Sequence, residues 1–147
     1  FGPELTNLIV TCSHDRSIIL WNSENCAKLQ TMRGHMDIVN CVDFSPSGDL
    51  IISASNDATC RLWMTNTGKL LATLYGHETI VTTCKFAPDG HHIYTADFKG
   101  QVKTWGRVGC LGTASTGAVP LDGENPWHEE AETLKMTGED LGDDTDR

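Results

Sequence analysis

Over residues 1–107, short runs that are apolar or alternate apolar with polar positions are each closed by a cluster of Gly, Pro, Asn, Asp or Ser. Alternation with a period of two and frequent turn clusters predict β-strands, and nothing in the stretch repeats with the 3.6-residue period of a helix. The clearest part predicts four strands, Ile38–Phe44, Leu50–Ser55, Thr59–Trp63 and Lys69–Tyr75. The turns between them are Ser45-Pro46-Ser47-Gly48, Asn56-Asp57-Ala58 and Asn66-Thr67-Gly68. Successive side chains of a strand fall on opposite faces, so Cys60 and Leu62 share one face while Thr59, Arg61 and Trp63 share the other.

The pattern recurs. Trp21, Trp63 and Trp105 are spaced by 42 residues, Gly34-His35 returns as Gly76-His77, and Phe44-Ser45-Pro46 returns as Phe86-Ala87-Pro88. A fixed period of this size marks one supersecondary unit copied along the chain, each copy burying its apolar faces on its neighbours. The third copy predicts strands at Ile80–Phe86, Ile93–Ala96 and Gln101–Trp105, with a fourth drawn from Val108–Thr116. Phe1-Gly2-Pro3 matches the other Phe-x-Pro turns, so the chain is expected to begin at the end of a first strand, as a piece of a longer protein. Where another Gly-His would fall, Ala118-Val119 stands instead. From about residue 117 Gly, Glu, Asp and Thr dominate, the composition of a disordered segment.

Charge sharpens that division. The chain has 147 residues and a formal net charge of −9. Residues 122–147 hold 10 acidic and 2 basic side chains, whereas residues 1–121 hold 10 acidic and 9 basic ones and are close to neutral. The body lacks the clustered Lys and Arg that displace counterions from nucleic acid, so no nucleic-acid partner is expected. The six cysteines include no C-x-x-C pair and no Cys/His set at zinc spacing. Cys41 and Cys60 fall in strand runs, where a free thiol behaves as a small apolar side chain. Such usage fits a reducing compartment, and an intracellular location, cytoplasmic or nuclear, is expected. No run reaches the roughly 18 apolar residues of a membrane helix and no leader pattern opens the chain; neither a membrane nor a cofactor is expected.

Gly-His, then Phe-x-Pro-x-Gly, then Ser-x-Ser-x-Asp, then a Trp closing a strand: this run resembles the WD-repeat family of β-propellers, and the resemblance covers residues 1–107. It implies an all-β fold, a partial β-propeller of four-stranded antiparallel blades. One complete blade is flanked by two incomplete ones, about 2.5 blades over 1–107, and residues 108–147 supply a weak last strand and then the acidic tail. So few blades leave edges open, and either the remaining blades of a longer parent or self-association is expected to cover them. The sequence also departs from the family: Asn22, Met64 and Gly106 follow the tryptophans where the naming Asp would stand. The Trp-Asp-x-Arg motif of cullin ubiquitin-ligase receptors is absent, with Glu24, Asn66 and Val108 three residues beyond each Trp.

The resemblance also implies that His35, Ser53, Asp57 and Trp63 form a hydrogen-bonded network tying a turn to its strands. The same residue types could be read as a Ser-His-Asp hydrolase. That reading lacks a sharp nucleophile turn and a Gly-rich oxyanion loop. In the third copy His77, Thr95 and Trp105 match, but Lys99 takes the place of the acid, so this network is expected to be incomplete and the copy the least stable. In the first copy Thr11, Asp15 and Trp21 match, and the histidine is expected before residue 1. His91-His92 could suggest a metal, yet adjacent strand residues face opposite ways, and no metal site is expected.

Partner binding is the function the resemblance implies, on the face where the Gly-His loops and the second-to-third strand turns emerge. Carried over by position, the candidates are His14 in the first copy, Ile38, Asn40 and Asn56 in the second, and Ile80, Thr82 and Phe98 in the third. Phe98 reads as an interface anchor, or else as a side chain folded inward to compensate for the missing acid. Ile38 and Ile80 read equally well as core residues. In the tail, Trp127 among acids reads as a solvated linker or a docking motif, and Thr137-Gly138-Glu139-Asp140 fits an acid-directed kinase site. The function expected is a non-enzymatic scaffold that binds other proteins or peptides. The alternative is a regulatory appendage of a larger enzyme, a signalling ATPase or a ubiquitin-ligase substrate receptor, with its chemistry outside this segment. A G-x-x-x-x-G-K-[ST] loop upstream would distinguish the two.

Overall fold

The computed structural model describes residues 7–107, 127–129 and 134–135. Among them the regular elements are strands: β1 (Leu8–Cys12), β2 (Ile18–Asn22), β3 (Lys28–Met32), β4 (Val39–Phe44), β5 (Leu50–Ser55), β6 (Cys60–Met64), β7 (Leu70–Leu74), β8 (Val81–Phe86), β9 (His92–Asp97), β10 (Gln101–Arg107), β11 (Trp127–Glu129) and β12 (Leu134–Lys135). They form three antiparallel sheets in chain order, β1-β2-β3, β4-β5-β6-β7 and β8-β9-β10-β11, with β12 also pairing β10. One sheet per 42-residue copy is the arrangement that the fixed period predicts.

Local chemistry explains where the strands stop. β4 and β8 begin one residue later than predicted because the carbonyls of Ile38 and Ile80 accept from Asn56 N (2.9 Å) and Phe98 N (2.9 Å) in the facing turns. The Phe-x-Pro-x-Gly turns close with Gly48 N donating to Ser45 O (2.8 Å) and Gly90 N to Ala87 O (3.0 Å). Both glycines have positive φ, 78° and 70°, a region that disfavours a Cβ. Gly34 also has a positive φ, 156°, and a Cβ there would displace the flexible end of Arg61 and press on the Trp63 ring at 3.3 Å.

The middle sheet buries both of its faces. Ile51, Trp63 and Val39 face the first sheet, where they pack with Ile18, Leu20 and Met32. Ile52, Ala54, Cys60, Leu62 and Leu74 point the other way, onto Val81, Cys84, Phe86, Ile93 and Trp105 of the third sheet. The predicted split of Cys60 and Leu62 from Trp63 is thus a split between two cores. Each fully buried Ile, Leu or Val contributes about 1.5–3 kcal/mol, so cohesion lies in the interfaces between sheets rather than within any one of them.

The seam between the second and third sheets is also pinned by polar contacts from β4 to β8. Asn40 Nδ2 donates to Val81 O (2.9 Å), and the Asp43 carboxylate accepts from Phe86 N (3.1 Å) and Lys85 Nζ (3.1 Å). Asn40 and Thr82 each sit where the register with the next strand skips, between Val39 and Cys41 and between Val81 and Thr83. A bulge of this kind frees a residue from the ladder and re-aims its side chain.

The third copy differs from expectation at its fourth strand. Residues 108–116, where that strand was predicted, lie outside the described residues, as do 1–6 and the kinase-site match at 137–140. The strand that pairs with β10 is β11, with Trp127 opposite Arg107 and Glu129 opposite Trp105. Trp127, read from its acidic surroundings as a solvated aromatic, is instead only 3% exposed and stands edge-on to Phe86 at 6.2 Å between ring centroids. Its indole is large enough to close the apolar gap beside Phe86, which outweighs the polarity of its neighbours in sequence.

Candidate partner-binding face

Each Gly-His loop meets the turn between the second and third strands of its sheet at one end of the molecule. In the middle copy Trp63 Nε1 donates to Ser53 Oγ (2.9 Å), Ser53 Oγ lies 2.8 Å from His35 Nε2, and His35 Nδ1 lies 2.8 Å from Asp57 Oδ2. Asp57 Oδ2 also accepts from Met36 N (2.9 Å), and Asp57 Oδ1 accepts from Thr59 N (3.0 Å) and Thr59 Oγ1 (2.6 Å). One carboxylate therefore ties the loop after His35 to the turn before β6.

The protonation states follow from the surroundings. Burial pushes the His35 imidazole below its ordinary value, outweighing the hydrogen bond and the charge of Asp57, which pull it up. Burial alone would raise Asp57, but the hydrogen bonds from Thr59, Met36 and His35 together hold it down at about 2. Neutral His35 then donates from Nδ1 to ionised Asp57 and accepts at Nε2 from the Ser53 hydroxyl. That hydroxyl proton faces His35 at 2.8 Å in preference to Arg61 O at 3.3 Å. Ser53 itself is 0% exposed, so no substrate can reach its oxygen, and the arrangement works as a clasp rather than as a nucleophile.

The signs of these shifts predict acid sensitivity. Both groups have folded pKa values below their unfolded ones, so the unfolded chain binds more protons as pH falls and stability is lost. For His35 the contribution is complete above about 6.5 and declines below it; for Asp57 it is complete above about 4 and is lost toward 2. The melting temperature is expected to fall from pH 7 to pH 5.5 and again to pH 3.5 in calorimetric scans. His35→Gln should flatten the first step. A melting temperature that rises on acidification contradicts the clasp.

In the third copy Trp105 Nε1 donates to Thr95 Oγ1 (2.9 Å) and His77 Nε2 lies 2.7 Å from that hydroxyl. The expected gap at Lys99 is filled: Asp97 Oδ2 stands 3.2 Å from His77 Nδ1. Its Oδ1 accepts from Lys99 N (3.0 Å) and Gln101 N (2.9 Å). The acid has moved two residues toward the strand, and a carboxylate projecting from the end of β9 reaches the same imidazole nitrogen. The expectation of an incomplete third network is corrected accordingly. In the first copy Trp21 Nε1 donates to Thr11 Oγ1 (2.8 Å), and Asp15 Oδ1 accepts from Ser17 N (2.9 Å) and Ser17 Oγ (2.5 Å). The place of its histidine lies outside the described residues.

The same clasp in successive copies of one sheet agrees with the family comparison. The model of the WD domain, G-beta repeat, matches residues 4–22, 26–64 and 68–106. The chain belongs to the WD-repeat family. It is similar to the small ribosomal subunit protein RACK1 of Drosophila melanogaster, 39% identical over 51 residues, which are 34% of this chain and 16% of that protein. It is also similar to the nuclear distribution protein PAC1 of Debaryomyces hansenii, 42% identical over 45 residues, 31% of this chain and 8% of that one. A third relative is the SEC13 homolog of Drosophila melanogaster, 40% identical over 48 residues, 31% of this chain and 14% of that protein. The matched stretches thus span well under a fifth of each relative. WD repeats bind other proteins, and their domains are in general non-catalytic scaffolds.

On the loop face of these WD repeats the candidate residues divide. Phe98 is 77% exposed and does not fold inward; the acid it could have compensated for is Asp97. Ile80 is exposed, Ile38 is half-buried, and neither belongs to a core cluster. His14 is exposed in the β1–β2 turn. Asn40 spends both amide hydrogens internally, on Asn56 Oδ1 (2.7 Å) and Val81 O, and Thr82 Oγ1 donates to Ala96 O (3.1 Å). What remains for a partner is the Asn40 carbonyl, the Asn56 amide hydrogens and the lone pairs of Thr82. Two exposed apolar residues went unnoticed in the sequence, Met36 and Tyr75, each 73% exposed. They flank the two Gly-His pairs, and that position was the available signal. Among the described residues no group of three or more His, Cys, Asp or Glu side chains converges as a metal site.

Proposed function

We propose that this chain is a non-enzymatic interaction module that lays a segment of a partner protein across the loop face. Apolar side chains of the partner rest on Phe98, Tyr75, Met36 and Ile80, and its backbone meets the spare polar groups of Asn40, Asn56 and Thr82. The observation that carries the reading is Phe98, a large aromatic 77% exposed at a turn whose backbone is held to Ile80 O. A rigid aromatic loses little conformational freedom on binding, which suits it to anchor an interface. The relatives are named as a ribosomal subunit protein, a nuclear distribution protein and a SEC13 homolog; those names share no single assembly, which supports a common module rather than a common partner.

The test is selection of a displayed random peptide library on the chain, followed by titration of the enriched peptides against Phe98→Ala. Binding is expected to weaken by about tenfold or more, the effect of losing an anchor worth at least 1.4 kcal/mol, while the melting temperature stays unchanged. Equal affinity for both proteins would move the binding surface elsewhere, and a large loss of melting temperature would make Phe98 a structural residue.

A further inference from the structure

Four cysteines gather around the seam where the middle sheet meets its neighbours, and Cys41 is at the centre of the group. Across the β4–β8 seam the contacts are reciprocal: Cys41 Sγ lies 3.5 Å from Cys84 O, and Cys84 Sγ lies 3.7 Å from Cys41 O. Each sulfur is thus held against the other residue's own backbone, between two strands already fixed by Asn40, Asp43 and Lys85. Thr83 Oγ1 is 3.8 Å from the Cys41 sulfur. The two thiols differ in access, because Cys41 is half-buried and Cys84 is fully buried. Cys60 is buried on the same face of the middle sheet, and Cys12 is half-buried toward the first sheet.

We propose that Cys41 and Cys84 form a peroxide-sensitive dithiol pair, with Cys41 reacting first and Cys84 resolving it to a disulfide that joins the second and third sheets. The Cys41 sulfur attacks one oxygen of hydrogen peroxide and the O–O bond breaks. The departing hydroxide takes up the thiol proton as water, leaving Cys41 as a sulfenic acid. The Cys84 sulfur then attacks the Cys41 sulfur, the S–O bond breaks, and the hydroxide leaves with the Cys84 proton as a second water. Two thiols are oxidised by two electrons and one peroxide is reduced to two waters.

The order of the two steps follows from the surroundings. Hydrogen bonding with Cys84, through its side chain first and its backbone second, is the largest influence on Cys41 and, with smaller help from Thr83 and Lys85, holds it at about 5 against the opposing effect of burial. Burial pushes Cys84 well above its ordinary value. A low-pKa, accessible thiol beside a second one is the arrangement of a reversible redox site, and the thiolate is the nucleophile. Because Asn40 bonds to Val81 across the same seam one residue from Cys41, the bridge forms directly beneath the loop face.

The experiment treats the whole chain with hydrogen peroxide, blocks remaining thiols in denaturant, and maps cross-links by mass spectrometry without reduction. A Cys41–Cys84 linkage that dithiothreitol removes, with a higher melting temperature while it is present, is the expected result. In Cys84→Ala, Cys41 should persist as a sulfenic acid captured by dimedone, and in Cys41→Ala the oxidation of Cys84 should slow by at least tenfold. A dominant linkage through any other cysteine, dimedone capture at Cys84 rather than Cys41, or no linkage in the wild-type chain would each overturn the proposal. The wild-type measurement stands even if a variant folds poorly.

Discussion

Trp127→Ala is expected to destabilise the chain by about 3–5 kcal/mol, the usual cost of emptying a large aromatic site in a core. Trp127 is 3% exposed, belongs to the same buried cluster as Leu62, Phe86 and Ile93, and stands at the start of the strand that covers the outer edge of β10. Removing it both opens a cavity beside Phe86 and loosens β11, which also touches β7 of the middle sheet. Urea unfolding of the full chain measures the effect, and Trp127→Phe should recover much of it. If the unfolding midpoint of the alanine variant equals that of the wild type, the tail segment is not docked and the third sheet ends at β10.

The second large effect belongs to the clasp acids. Asp57→Ala strands the His35 Nδ1–H and the Met36 and Thr59 N–H groups, and a buried donor left without an acceptor costs about 1–3 kcal/mol. Asp97→Ala takes the carboxylate away from His77 Nδ1 and from the Lys99 and Gln101 N–H groups and should cost a similar amount. Lys99→Ala, by contrast, changes an exposed side chain and should stay within about 0.5 kcal/mol. The three unfolding midpoints decide between a complete and an incomplete third clasp. A silent Asp97→Ala beside a costly Lys99→Ala would reinstate the gap at the turn.

Those two positions also show where the sequence could and could not be read. The middle copy was legible because its strands are bounded by clear turn clusters and its clasp residues stand at family spacings; β5, an apolar run between two turns, begins and ends at the predicted residues. Asp97 was not, because the relevant quantity is the reach of a carboxylate to His77 Nδ1, and two different positions along the hairpin satisfy it. Trp127 was hidden for another reason. The fourth strand of the third copy arrives after an interruption of the 42-residue period, and pairing across such a gap leaves no local pattern. Met36 and Tyr75 were missed because single exposed apolar residues are ordinary on any surface; only their place beside Gly-His marks them.

Among the described residues the middle sheet has neighbours on both sides, while the first and third sheets each have one. In a linear array of like units, stability is the sum of each unit's own contribution and a coupling to every adjacent unit. The central hairpins therefore carry two couplings and the flanking ones a single coupling each. Unfolding should peel inward from the flanks, and the amide protons of β5 and β6 should be the last to exchange with solvent.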